Sequence, residues 1–345
     1  MKIIAPLISF YIGITTSYAQ LGGNQSDYDP FADSTSSGGT SYTVGQPLFG
    51  NSSKLSPGFD SVATAGVGTP SWWQYTDAIT LRSTPSPTIV AGDLPYAGLA
   101  TSGGGRSAQF QGLGTSALYN LTTDTNATGY TAGLGYTTVY YSFTLRLSDI
   151  SLLPTDASGA KLIAGFTKVE SHKNGSVTPN SVGAQLWIRS DGSSGYRLGL
   201  EGGNGANNVI ATPTFDLASH NVGETLFIVG EYDLSTTSAS LWINPVPGGL
   251  QPAANLTDLA SSAMQRIASF TLFGDNPATG SADLAITGQI DNLRDGLTWT
   301  SVTPAAVPEP SALALASVGM ASLCRRRSFR KVVSSLPAPP APSLV

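Results

Sequence analysis

The chain has a single cysteine among its 345 residues, Cys324, and it lies inside the last apolar run. No internal disulfide can form, and thiolate chemistry is absent from everything upstream of that run. Histidine is nearly as scarce: His172 and His220 stand 48 positions apart, with no partner at metal-ligand spacing. Charged residues make up only 11% of the sequence. The basic ones crowd the termini, as Lys2 and as Arg325, Arg326, Arg327, Arg330 and Lys331. That leaves 11 basic against 21 acidic residues between positions 20 and 306, a net charge of −10. Such a surface repels a phosphate backbone, and no basic helix or aromatic–basic strand motif offsets it, so nucleic acid is excluded as a partner. Also missing are a Gly-x-Ser-x-Gly elbow, a phosphate loop and a dinucleotide fingerprint.

What is present is a turn-dense β composition: 39 glycines, with Ser, Thr and Asn filling the spaces between short apolar stretches. From Thr138 to Ser148 the sequence alternates, with Val139, Tyr141, Phe143, Leu145 and Leu147 on one side and Tyr140, Ser142, Thr144 and Arg146 on the other. Period two denotes a half-buried strand. Further strands are expected over Lys161–Lys168, Val182–Arg189, Tyr196–Glu201, Thr225–Asp233, Ala239–Asn244, Ala268–Phe273 and Leu284–Leu293. Turn formers separate them and no βαβ spacing appears, which predicts an all-β antiparallel sandwich. One domain is expected over residues 20–303. Its first twenty or so residues are loop-like, the stretch 20–60 as a whole reads as loops with one short strand at Ser41–Val44, and Leu256–Ile267 alone has helical leanings, as a short surface helix or turn.

The two ends differ from this middle. Residues 1–19 open with Lys2, run apolar from Ile3 to about Thr15 and close on Ser17-Tyr18-Ala19. This is the pattern of a secretory signal helix cleaved after Ala19, with the Sec translocon and signal peptidase as partners. After a linker at 304–307 come Val307-Pro308-Glu309-Pro310, an apolar run from Ala312 to Cys324, and Arg325, Arg326 and Arg327. Thirteen helical residues span about 20 Å, short of the ~30 Å hydrocarbon core. A short apolar helix before a basic cluster suits transient docking in the inner membrane with the arginines inside.

Residues 307–327 resemble the PEP-CTERM sorting signal. The resemblance implies that an exosortase cuts near Pro308-Glu309-Pro310 and releases or re-anchors the protein at the cell surface. Family tails stop soon after the arginines, whereas here a Pro-rich tail continues over 328–345 and reads as disordered. The stretches "DPF", "GGTSYTVG", "PTIVAGDLPYAGL", "TTVYYSFTLRL", "ETLFIVGEYDL", "ASLWINP" and "IDNLRDGLTWTSVTP" resemble a group of PEP-CTERM surface proteins. That resemblance implies a concanavalin A/LamG-like jelly roll.

Strand parity places Tyr140, Gln185, Trp187, Arg189, Arg197, Glu201, Trp242 and Asn244 opposite the apolar sides of their strands. Two tryptophans among amides, guanidinium and carboxyl groups suit a glycan, because sugar C–H faces stack on flat rings while polar groups take the hydroxyls. The competing reading is that these aromatics pack beneath loops or form cross-strand pairs. On the glycan reading Trp187 and Trp242 are the platforms. Tyr140, Gln185, Arg189, Glu201 and Asn244 then complete the site. Asp291, Asn292 and Asp295, near the last strand, offer oxygen ligands for Ca²⁺, with turn capping as the alternative. Glu231-Tyr232-Asp233 resembles half of the laminarinase-type Glu-x-Asp-x-x-Glu motif, but position 236 is Thr. Retaining hydrolysis needs a second carboxyl group there, so the pair reads as surface charge.

The expected protein is therefore a non-enzymatic, exosortase-sorted domain of the cell surface or extracellular matrix. It requires no cofactor and binds exopolysaccharide. The alternatives are a structural coat or biofilm protein, or a glycoside hydrolase or lyase on the same scaffold. Mass spectrometry of the surface-located protein should find Gln20 as its first residue and no peptide containing Cys324 or Arg325–Arg327. Recovery of that segment on the mature protein would overturn the processing scheme.

Overall fold

A computed structural model describes residues 87–101, 105–111, 136–168, 182–203, 213–260, 266–272 and 286–306, with short stretches at 26–29, 42–46, 72–74, 117–120 and 130–131 and the single residues 31, 48 and 264. The signal helix with Ala19, the sorting residues Val307, Pro308, Glu309, Pro310, Arg325, Arg326 and Arg327, and the tail 328–345 lie outside the described residues.

The alternating stretch around Tyr141 forms the longest strand, β7 (Thr138–Asp149), near the middle of the first sheet. Toward one edge follow β13 (Thr225–Asp233), β14 (Ser238–Ile243) and β15 (Leu256–Leu259); toward the other follow β18 (Thr287–Gly296), β4 (Arg106–Gln111) and β3 (Thr88–Ala91). The far half of β18 also pairs with β1 (Ser26–Asp29). The second sheet runs β11 (Thr214–Phe215), β10 (Gly195–Gly203), β9 (Val182–Ser190), β8 (Lys161–Thr167), β17 (Ser269–Leu272), β5 (Ala117–Asn120) and β2 (Trp72–Gln74), and β12 (His220–Asn221) also pairs with β10. A small ladder joins β6 (Tyr130–Thr131) to β16 (Arg266–Ile267), and one helical turn, α1 (Trp299–Val302), follows β18. All pairings are antiparallel, giving the expected β-sandwich. Among the described residues no helix is long and apolar enough to cross a membrane.

The main core lies between the sheets. Val139, Tyr141, Phe143, Leu145 and Leu147 enter it from β7, and Ala184, Leu186, Ile188, Tyr196, Leu198 and Leu200 meet them from β9 and β10. Tyr141 contacts Phe166 at 5.1 Å and Phe270 at 5.3 Å between ring centroids, so rings from both sheets interlock. Its hydroxyl crosses the whole core to donate to the Ala184 carbonyl at 2.9 Å. Ala184 holds φ +48 at an irregular point of the β8–β9 ladder, a conformation that costs an alanine about 1–2 kcal/mol. Gly230 is the register partner of Tyr141, and a Cβ there would fall inside the tyrosine ring.

A second core covers the opposite face of the first sheet. Tyr140, Phe227, Val229 and Trp242 project from β7, β13 and β14 toward Leu99, Trp299 and Val302. Ser142 and Thr144, on the polar side of β7, are fully buried. Their hydroxyls donate to the carbonyls of Val302 at 2.6 Å and Asp291 at 3.0 Å.

Three local expectations are corrected. A turn at Thr43–Gln46 (Gln46 N to Thr43 O, 3.0 Å) stands where a strand is expected at Ser41–Val44, of which Ser41 lies outside the described residues, and main-chain pairing begins within that turn, where Gly45 N and then Leu48 N donate to the Ile89 and Pro87 carbonyls. Leu256–Leu259 and Arg266–Ile267, the two ends of the segment read as helical, are the strands β15 and β16, the first because the open edge of β14 takes it as a partner; residues 261–263 and 265 lie outside the described residues. Pro304 and Ala305 are not free linker, since Ala100 N bonds Pro304 O at 3.0 Å and Ala305 bridges Leu99.

In urea denaturation, Tyr141→Phe should cost about 1–3 kcal/mol, because the Ala184 carbonyl loses its donor in a dry core. Gly230→Ala should cost a similar amount through overpacking. A neutral result for both would mean that the two sheets do not depend on this contact.

Candidate functional site

The residues read as one glycan face occupy two. Trp242, Tyr140 and Asn244 belong to the first sheet or its edge, whereas Gln185, Trp187, Arg189 and Glu201 lie on β9 and β10 of the second. Each set points away from the shared core, so the two tryptophans project in opposite directions and cannot stack on one ligand. Alternation within a strand identifies its polar side but not the sheet that holds the strand.

Neither ring is presented to solvent. Trp242 is 3% exposed and Trp187 4%. Trp242 packs edge-on against Trp299 at 5.0 Å and near Tyr140 at 6.5 Å, and its indole N–H donates to Pro252 O at 2.9 Å. Tyr140 is buried with them; Gln251 links it to Glu231, accepting from the Tyr140 hydroxyl at 3.4 Å and donating to Glu231 Oε2 at 3.1 Å. Burial pushes the Glu231 carboxyl above its ordinary value. Asn244 takes φ +55 just beyond β14 and accepts from Phe227 N at 2.8 Å, a capping role. Trp242 and Tyr140 belong to the second core, and Asn244 is an exposed cap at the end of β14.

On the second sheet, Gln185 faces Glu201, Trp187 faces Gly199 and Arg189 faces Arg197 across the β9–β10 ladder. The missing side chain at Gly199 lets Phe215 lie over that strand, and the Arg189 guanidinium sits 4.6 Å above the Phe215 ring. Trp187 donates to Gln185 Oε1 at 3.0 Å, and Gln185 in turn donates to Val182 O at 2.9 Å. Glu201 differs from its neighbours. It is 8% exposed and its Oε2 has no hydrogen-bond partner. Burial first, and then the nearby Asp258 carboxylate, push its proton affinity up to about 7.

Asp291 and Asn292, offered for calcium, are engaged within the fold. Asp291 spends its carboxylate on two backbone amides, Leu94 N at 2.9 Å and Asn292 N at 2.6 Å. Asn292 sits at φ +56 in the β18 bulge and accepts from the Tyr28 hydroxyl at 2.9 Å. The local positive charge is the Arg294 guanidinium, stacked 4.0 Å above the Tyr28 ring and donating to Asn292 O and Ala100 O. Asp295 is buried in the same strand, opposite Asp27 and Tyr141 in the ladders. Among the described residues, no three His, Cys, Asp or Glu gather to hold a metal. Asp233 caps the β13–β14 turn, accepting from Ser235 N at 2.7 Å and Thr236 N at 3.1 Å.

One cleft of about 330 Å³ opens at the end of the sandwich where β7 leaves the first sheet and the β9–β10 turn leaves the second. Ile150, Leu153 and Val222 give it apolar surface, and Ser151, Ser193 and Ser194 surround them with hydroxyls. Asp191 fixes that rim, accepting from Ser193 N at 2.7 Å and Gly195 N at 3.1 Å. Hydrogen bonds from Ser219 first, and then Ser193, pull its carboxyl down to about 2. The sequence showed "SDGSSG" only as a turn; the apolar half of the cleft comes from other parts of the chain, so no local pattern signals it.

With divalent cations chelated, stability should fall as pH rises from about 4.5 to about 7, because over that range the folded state keeps a proton on Glu201 that the unfolded chain has released. Asp291, also raised to about 7, adds in the same direction. Thermal melts should show Glu201→Gln flattening this decline without abolishing it; an unchanged slope would contradict the burial of Glu201.

The model of the PEP-CTERM protein-sorting motif matches residues 306–328. The motif marks an exported protein sorted by exosortase to the envelope or surface. No curated protein matches the chain. Among solved structures, an endo-β-1,4-glucuronan lyase from the fungus Trichoderma reesei is 14% identical, with 66% of this chain and 93% of that one covered and a TM-score of 0.39. The receptor-binding domain of a botulinum neurotoxin of mosaic serotype C/D is 13% identical, with 66% and 42% covered and a TM-score of 0.35. A Trypanosoma rangeli sialidase is 12% identical, with 70% and 33% covered and a TM-score of 0.34.

Proposed function

We propose that the domain is displayed outside the cell as a non-catalytic module that holds neutral polysaccharide in the cleft at the end of the sandwich. The observation that carries this reading is the cleft's lining, with Ile150, Leu153 and Val222 beside Ser151, Ser193 and Ser194. A sugar ring offers C–H faces and hydroxyls together, and a site that binds it needs apolar surface and hydroxyl partners side by side. Loops at the end of a rigid sandwich are suited to such a role. The net charge of −10 between positions 20 and 306 favours an uncharged polymer over a uronate-rich one.

Among the described residues one carboxylate lines the cleft, Asp149, whose Oδ1 accepts from Ser151 N at 2.9 Å, and the Asp191 carboxylate at the rim is taken up by Ser193 N and Gly195 N. Glycoside hydrolysis takes two carboxyl groups across the scissile bond, so binding suits this cleft better than cleavage. The sorting motif supplies the location, where exopolysaccharide is the partner at hand.

The test is retention of the processed protein on immobilised neutral exopolysaccharide. Ser194→Trp, which fills the cleft, and Val222→Asp, which places a charge in it, should each reduce retention about tenfold, or ~1.4 kcal/mol. Trp242→Ala should instead lower stability by about 3–5 kcal/mol. Retention unaffected by both cleft variants would remove this site. Cell association without any retention would leave a structural coat as the better reading, and release of reducing or unsaturated ends would restore hydrolase or lyase chemistry.

A further inference from the structure

At one edge of the sandwich the two sheets approach each other, with the end of β10 against β15. Gly202 is needed there: a Cβ would lie 2.6 Å from Ala260 N and 2.8 Å from the Leu259 carbonyl carbon. Gly202 N also donates to Asp258 Oδ2 at 2.7 Å, fixing that carboxylate beside the β10 backbone. Glu201, one residue earlier, is 8% exposed, and its Oε2 is buried without any hydrogen-bond partner. Its neighbour across the ladder, Gln185, has its amide engaged with Val182 O and Trp187 Nε1.

The carboxyl groups of Glu201 and Asp258 thus flank one close approach of β10 to β15, and one of them has a dry, unmatched oxygen. A buried carboxylate without a partner is strongly disfavoured, and a second carboxylate nearby makes ionisation harder still. The buried Asp291 carboxylate, by contrast, has two backbone amide donors, Leu94 N and Asn292 N. Among the described residues, no arginine, lysine or histidine forms an ion pair with Glu201 or Asp258.

We propose that Glu201 and Asp258 are the side-chain ligands of a divalent-cation site of the calcium class, which ties the edge of the second sheet to that of the first. A hard cation takes carboxylate oxygens together with backbone carbonyls and water, and needs no third acidic side chain. Binding matches the unpartnered Oε2 and cancels the repulsion in one step. The site is separate from the cleft and does not depend on what the cleft binds.

The experiment treats the secreted protein with chelator and titrates calcium chloride by calorimetry, with thermal unfolding in parallel. The expected result is one calcium per chain with a Kd of about 10⁻⁴–10⁻³ M, the range of extracellular modules, and a Tm that rises with calcium. Glu201→Gln should weaken binding at least about tenfold and abolish the Tm response. Asp258→Asn should do the same, so the test survives if the first variant folds poorly. Asp156→Asn, an exposed acid outside both the cleft and this edge, should behave as wild type. Equal calcium responses in wild type, Glu201→Gln and Asp258→Asn would overturn the proposal. So would a wild-type protein that binds no calcium up to about 10 mM while its stability follows pH alone, since the occupant of the site would then be a proton.

Discussion

The sandwich is organised around a polar strut through its apolar centre. The Tyr141 hydroxyl reaches from β7 to the Ala184 carbonyl on the facing sheet, so the distance and lateral alignment of the sheets are set by one directional bond as well as by packing. Apolar contacts alone tolerate sliding, because area burial is non-directional. A buried hydroxyl does not tolerate it, since a donor shifted out of reach leaves two unsatisfied groups in a dry interior. The φ of +48 at Ala184 turns the ladder locally, and Gly230 leaves the space in which the Tyr141 ring can lie. Three residues from three strands thus satisfy one constraint. The rings of Phe166 and Phe270 then close around the tyrosine from the second sheet.

From this arrangement the second core follows. With the inner face of β7 fixed by Tyr141, Tyr140 and Ser142 must face outward, and in a solvated sheet they would stay wet. Instead the segment from Leu94 to Ala100 and the turn α1 lie across that face, and Phe227, Val229, Trp242 and Trp299 join Tyr140 in a dry layer. The serine and threonine hydroxyls beneath it are satisfied by main-chain carbonyls, the condition under which polar groups can be buried at all. Trp242 looked like a binding platform in the sequence because it alternates with Leu241 and Ile243. In the structure it is the floor under a second layer that no period-two pattern announces.

Strand existence was legible wherever alternation ran long. Thr225–Asp233 appears with the bounds read from its residues, and β7, β8 and β9 differ from expectation by a residue at an end. Where segments are short and partner-dependent, local pattern fails. Leu256–Leu259 is a strand because the edge of β14 is available, although its own sequence leans toward a helix. The same distinction divides the site. Parity puts Gln185 and Glu201 each on the polar side of its strand, and only the ladder sets them opposite one another. The cleft joins Ile150 and Leu153 to Ser194 and Val222, and the pair Glu201 and Asp258 joins β10 to β15. Both are products of tertiary closure, which brings together residues with no common periodicity.

The topology also ties folding to the end of the chain. In the first sheet β18 lies between β7 and β4, and in the second β17 lies between β8 and β5, so the last two long-range strands fill central places in both sheets. Neither sheet can close until these residues are in place, and such non-local pairing makes for slow folding. The sorting motif begins at residue 306, directly after Ala305, which is still bridged to Leu99. Residues 297–305, which include α1 and the bridge from Ala305 to Leu99, are all that separate the end of β18 from the start of the motif. A motif read this close to the last central strand follows a domain that has just become able to close, and the attachment of Pro304 and Ala305 to the body keeps the intervening segment short.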